Sequence, residues 1–200
     1  MPRPRSKSRN RLVPDAMSVF WQGGYAGTSI SDLVAATELT RETLYAEHAG
    51  KEALFEACID HYRRAVVAPA LQQLAPVARG GSSGAGVMRY FLFQIGKAEG
   101  FGLPGPGCLI ANSAAEPVSQ TPAVQAHVEA HVRQLSHAFA DALARDAAPD
   151  TPQVIVREVA RSLAIATQGF WTWSRSIDSA RLLRREARNL VKLATARIEQ

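Results

Sequence analysis

Apolar residues recur at intervals of three and four along most of this chain, and no segment sustains a period of two, so the pattern predicts an all-α fold of about nine helices. The clearest stretch runs from 122 to 147, where Val124, Val128, Val132, Leu135, Phe139 and Leu143 fall on one stripe. Two further amphipathic helices follow, over about 152–175 (Val156, Val159, Leu163, Phe170) and 179–198 (Leu182, Leu183, Leu190, Val191, Ala194). Near the other end, Leu12, Val13, Ala16, Met17 and Phe20 predict a helix stopped by Gly23-Gly24, with Pro14 tolerable in its first turn. Ser29 and Asp32 have the spacing of a capping box ahead of Leu33 and Val34. Thr40 is the expected N-cap of a third helix, Arg41 to Ala46. Two short helices joined by so short a turn make a helix-turn-helix.

A longer helix is expected over about 51–74, with Leu54, Phe55, Cys58, Ile59, Tyr62 and Val66 on its apolar face and Pro69 kinking it. Glycine-rich breaks at 80–86 and 100–107 bracket a helix over 87–99, and a short apolar helix runs from Cys108 to Glu116. The organisation read from this is a basic flexible arm (1–11), a helix-turn-helix head (12–50), a connecting helix (51–76) and a helical body (77–200).

Charge changes the picture by its distribution. The net +5 conceals an arm with five basic residues and no acid, a stretch 12–62 with two basic and eight acidic residues, and a remainder with sixteen basic and ten acidic. A polyanionic partner is implied, and the basic excess at the N-terminus lies wholly in the arm. Charged residues interrupt every hydrophobic stretch well short of the roughly 18 to 20 apolar residues of a membrane span, so no membrane partner is expected. Two cysteines, Cys58 and Cys108, with no secretory signal point to the cytoplasm. No nucleophile elbow, phosphate-binding glycine loop, zinc-protease motif or dinucleotide fingerprint occurs, so neither an enzyme nor a cofactor is expected.

Gly24-Tyr-Ala-Gly-Thr-Ser-Ile-Ser-Asp-Leu33, Thr40-Arg-Glu-Thr-Leu-Tyr45 and Lys51-Glu-Ala-Leu-Phe55 together resemble the N-terminal domain of TetR/AcrR-family transcriptional regulators. Gly107 to Glu116 looks like a stretch in the effector domains of one branch of that family. The resemblance implies a three-helix DNA-binding head, a connecting fourth helix, and an effector body that dimerises through its last two helices. It implies phosphate contacts from Thr28, Ser29, Thr40, Tyr45 and Lys51, with Arg41 and Thr43 facing base edges or the adjacent backbone. Arg41 is the candidate for reading a guanine.

The chain departs from the family pattern at Glu38, in a position where glycine and a left-handed backbone are usual, and at Glu42, Glu47 and His48 on and after the recognition helix. Carboxylates near DNA repel it, so the arm or cytosine-edge contacts would have to supply affinity.

Cys108 at a helix start is either a sensor thiol activated by the helix dipole or a small buried apolar residue. His127 and His131 are spaced to share a metal, but no third ligand is visible and no metal is assigned. Phe91, Phe101, Cys108, Asn112, His131 and Trp171 are the candidate lining of an effector cavity, for an apolar or aromatic small molecule with one or two polar groups. The expected function is a homodimeric repressor that binds a palindromic double-stranded operator and is released by such an effector. The alternative is a helical dimer that binds small molecules or partners and has weak or lost DNA binding.

Overall fold

The computed structural model describes residues 9–75, 84–148 and 150–198. Most of the basic arm and residues 80–83 of the first glycine-rich break lie outside them. Among the described residues the chain is all helical. The order is α1 (Leu12–Gly23), α2 (Ile30–Thr37), α3 (Arg41–Glu47), α4 (Lys51–Tyr62), a π-helical turn (Arg63–Val67), α5 (Ala68–Gln72), α6 (Ala85–Phe101), α7 (Leu109–Ala114), α8 (Pro122–Asp146), α9 (Gln153–Ser174) and α10 (Ala180–Thr195). Short 3₁₀ turns precede α1 (Arg9–Arg11) and α8 (Pro117–Gln120). Since α4, the π turn and α5 form one unbroken rod, the described helices agree with the expected nine.

The local signals act where they were read. Ser29 caps α2 in a full capping box, its hydroxyl accepting from the Asp32 N–H while the Asp32 carboxylate accepts from the Ser29 N–H at 2.8 Å. Thr40 caps α3 by accepting from the Thr43 N–H at 3.2 Å. Glu38 takes the left-handed conformation expected of a glycine, at φ 57° and ψ 23°. A side chain there costs on the order of 1 kcal/mol.

Pro69 is accommodated differently from a simple kink. Proline has no N–H to bond back and its ring crowds the carbonyl one turn earlier, and the helix widens into the π turn just before it.

α1 packs against α2 and α4, with Phe20 edge-on to Phe55 at 4.9 Å and Tyr25 tilted against Phe55 at 5.0 Å. Leu33 of α2 and Leu44 of α3 close this small core. In the body α8 lies along α9, and α6 against α10. One detail of the α8 stripe differs from expectation: Val132 is half-buried, and His131 takes its place beside buried Val124, Leu135, Phe139 and Leu143. A true helix turns 100° per residue, so over several turns the buried line drifts by one position.

Candidate functional site

The helix-turn-helix presents a polar surface held by its own caps. Arg41, Glu42, Tyr45 and Glu47 are exposed on α3, and the Arg41 guanidinium lies 5.6 Å from the Tyr45 ring centroid. The Glu42 carboxyl is held below its usual range by its own backbone N–H and by the Thr40 hydroxyl, so it is anchored at the start of its helix. Asp32 is lowered by its bonds to Ser29. Thr28 is different in kind: it is buried, and its hydroxyl donates to the Gly24 carbonyl at 2.7 Å, which ties down the loop before α2. Its side chain is therefore already engaged inside the head.

This head is hydrogen-bonded to the body through Glu116, through Gly107 and through Arg175, whose guanidinium donates to the Gln22 carbonyl at 3.5 Å. Glu116, after α7, accepts from the N–H groups of Tyr25 and Ala26 at 3.2 and 2.8 Å. The carboxylate fits because Gly24 has no side chain: a Cβ there would lie 2.7 Å from Glu116 Oε1, on a backbone with φ +74°. Lys51 sits with Nζ 4.1 Å from the Tyr25 ring centroid; burial lowers its pKa and the Glu116 charge partly opposes this. At the second of these contacts, Trp21 of α1 donates from Nε1 to the Gly107 carbonyl at 3.0 Å.

That second contact borders a cavity of about 200 Å³. Its walls are Trp21 from α1, Tyr62, Ala65, Val66 and Pro69 from the rod, Phe93, Gln94, Lys97, Ala98 and Phe101 from α6, and Leu103, Gly105, Pro106, Gly107 and Cys108 before α7. Trp171, Ser174 and Leu183 from α9 and α10 complete it. Trp21 is edge-on to both Tyr62 (5.1 Å) and Phe101 (6.0 Å). The π turn contributes Ala65 and Val66, so the irregularity of the connecting rod falls at the cavity wall.

Behind the cavity lies a buried polar group. Cys108 Sγ is 3.9 Å from His131 Nε2, while His131 Nδ1 is buried with no hydrogen-bond partner among the described residues. Burial, with Arg63 nearby, lowers the His131 pKa to about 4, so the ring is neutral at pH 7. Burial likewise raises the Cys108 thiol, and this outweighs the start of α7. Of the two readings of Cys108, the sensor thiol required a lowered pKa, and the direction here is the opposite because desolvation of the charged form dominates.

Residues 13–58 match the family model of bacterial regulatory proteins, tetR family. Over 60 residues the chain is 48% identical to the HTH-type transcriptional repressor ComR of Escherichia coli (strain K12), covering 30% of this chain and 29% of ComR. It is 29% identical over 135 residues to the uncharacterized HTH-type transcriptional regulator YezE of Bacillus subtilis (strain 168), covering 65% of each. These alignments thus span less than two thirds of either curated relative. A cysteine-substituted form of the TetR family transcriptional regulator CifR, solved with 26 bp double-strand operator DNA, matches with a TM-score of 0.77 at 25% identity, covering 96% of this chain and 98% of that one. The head is of the tetR-family type, and the chain shares its fold with TetR-family regulators.

The sequence-selected residues are placed as follows. Ser29, Thr40, Arg41 and Tyr45 are exposed, and Thr43 is half-buried beside Thr40. Lys51 faces Tyr25, and Thr28 points inward. Of the six effector candidates, Phe101, Cys108 and Trp171 line the cavity, whereas Phe91, Asn112 and His131 do not. Phe91 is spent on packing against Phe170 and Trp171, and Asn112 donates to the Pro106 carbonyl at 2.8 Å, which fixes the loop at the cavity edge. His127 lies 3.8 Å from Asp60, away from the contacts of His131. Among the described residues no three His, Cys, Asp or Glu side chains are grouped to hold a metal ion.

Sequence reasoning missed Trp21, Tyr62, Phe93 and Lys97. Phe93, Lys97 and Phe101 step by four along α6, and that spacing was the available signal. Trp21 carried none, since it belongs to the head in sequence.

Proposed function

We propose that this protein is a DNA-binding transcriptional regulator of the cytoplasm, acting as a homodimeric repressor that a small apolar or aromatic effector releases. The observation that carries the reading is Trp21: one side chain of the helix-turn-helix head is also a wall of the effector cavity. A ligand that rearranges this wall changes the position of α1, and binding of ligand and DNA are then linked reciprocally. Arg41 and Thr43 on α3 read the major groove, with Ser29, Thr40, Tyr45 and the basic arm on phosphates.

Dimerisation is supported by the apolar face of the last two helices. Leu193 is 75%, Val154 59% and Ile165 54% exposed in the single chain, beside a depression lined by Val159, Ala166, Leu190 and Ala194. Such a face on a single chain marks a site of association, and a two-fold pairing through it would present two heads to a palindrome. Among the described residues no helix is long and apolar enough to cross a membrane.

The test is a salt-dependent anisotropy titration against the promoter DNA flanking its own gene, together with sedimentation of the free protein. A dimer with sub-micromolar, sequence-dependent binding supports the reading. Binding that is absent, or indifferent to sequence, favours the partner-binding dimer motivated by the exposed acids Glu38, Glu42 and Glu47.

A further inference from the structure

The cavity's chemistry narrows the ligand beyond apolar or aromatic, on the premise of the effector reading above. Lys97 is the one cationic residue among its lining residues, and no Asp or Glu lines it. The single acid on α6, Glu99, is bonded to Arg184 of α10, and Glu116 is bonded to the Tyr25 and Ala26 amides. A second depression adjoins on the far side of Trp21 and Phe101, and its charged residue is also a cation, Arg175. The mouth, where Lys97 is exposed and Phe101 is 69% exposed, therefore carries positive charge beside aromatic faces.

Size and donors restrict the choice further. A cavity of about 150 Å³ takes a benzene, so the 200 Å³ here suits one or two fused rings. The loop before α7 brings Pro104 and Pro106, which have no N–H, so it is poor in donors for a phosphate. A quaternary ammonium would suit the rings, but Lys97 repels it.

We infer that this cavity takes an aromatic monocarboxylate of one or two rings, its rings among Trp21, Tyr62, Phe93 and Trp171 and its carboxylate at the Lys97 ammonium. Lys97 then sets selectivity by charge, and Trp21 senses occupancy.

The experiment titrates the full-length protein by calorimetry with three probes of one shape: 2-naphthoate, 2-naphthamide and 2-naphthylmethylammonium. The wild type should prefer the acid to the amide by about tenfold, the size of one charge-assisted contact at a partly exposed site. The cation should bind more weakly than either. Lys97→Met should erase the preference for the acid while leaving amide affinity unchanged, and Lys97→Arg should restore it. Equal affinity for acid and amide, strongest binding of the cation, an unaltered preference in Lys97→Met, or no binding of any probe overturns the inference. DNA affinity measured in parallel separates the premise: acid binding that depends on Lys97 but leaves the DNA complex unchanged upholds the ligand class and removes the effector reading.

Discussion

The polar face of the head and the cavity of the body are built on opposite plans. On the head, Ser29, Asp32, Thr40 and Thr43 satisfy one another within three residues, and Ser29, Thr40, Arg41 and Tyr45 are exposed. In the body, Trp21, Tyr62, Lys97, Cys108 and Trp171 converge on one cavity from five separate segments. The difference has an energetic side. Solvent completes the bonding of the head's polar groups, whereas the His131 ring is closed off with Nδ1 unbonded. A buried polar group without a partner costs roughly 1–3 kcal/mol, and this cost in the body is of a different kind from the head's, which is the left-handed backbone at Glu38. The lesson is that recognition of a large external polyanion tolerates locally built, water-facing chemistry, while enclosure of a small molecule requires many distant segments to agree.

Acid is expected to divide the two regions most strongly. His131 binds a proton in the unfolded chain near its ordinary pKa of 6.5, but folded only near 4, so stability present at neutral pH is lost as pH falls through that interval. The loss approaches about 3 kcal/mol, from 1.36 kcal/mol per pKa unit. The head's depressed carboxylates, Asp32 and Glu42, contribute stability that is lost only below their ordinary values of 3.8 and 4.5. Urea melts at pH 7 and pH 4.5 should show the decline, and His131→Leu should flatten it. A wild type and variant with the same pH slope would remove His131 from the account.

Arg41→Ala should weaken specific DNA binding by about 1–3 kcal/mol and relax base preference at one position. Anisotropy with matched and scrambled operators checks this; an equal loss on all sequences reduces Arg41 to a phosphate contact.

The seam between the regions is tested by Glu116→Ala, which leaves the Tyr25 and Ala26 amides without their acceptor and should cost about 1–2 kcal/mol, since water reaches part of the site. If chemical denaturation finds no change, the seam is looser than its geometry implies. The smallest effect is a gain. Glu38→Gly relieves the left-handed side chain and should add about 1 kcal/mol, or roughly 2–4 °C in Tm for a chain of this size, provided the Glu38 contacts contribute little.

Legibility followed the same division. Ser29, Thr40 and even the left-handed Glu38 could be read directly, because helix caps and turn conformations depend on a few consecutive residues. The inward turn of Thr28 could not, since its bond to the Gly24 carbonyl depends on how the loop closes. In the body, Phe91 and Phe101 are both cavity candidates by sequence, yet one is core and the other, exposed, lines the cavity. Periodicity assigns a face to each residue, but it does not say which neighbouring face leaves a gap. For Cys108 the sequence leaves a sensor thiol and a small buried residue both open, because burial, which raises the thiol, is a property of the assembled layers.

The sequence by itself determined the helical class, the helix boundaries to within a few residues, the helix-turn-helix and its caps, and the separation of a basic arm from an acidic head. All of these rest on interactions between residues near in the chain, which spacing encodes directly. Only the tertiary structure decided that Trp21 closes the cavity, that Glu116 holds the loop before α2, and that Lys97 is the cation at the mouth. Those outcomes depend on groups about 75 to 90 residues apart being brought within contact, and no local pattern encodes which surfaces meet or where they fail to fill.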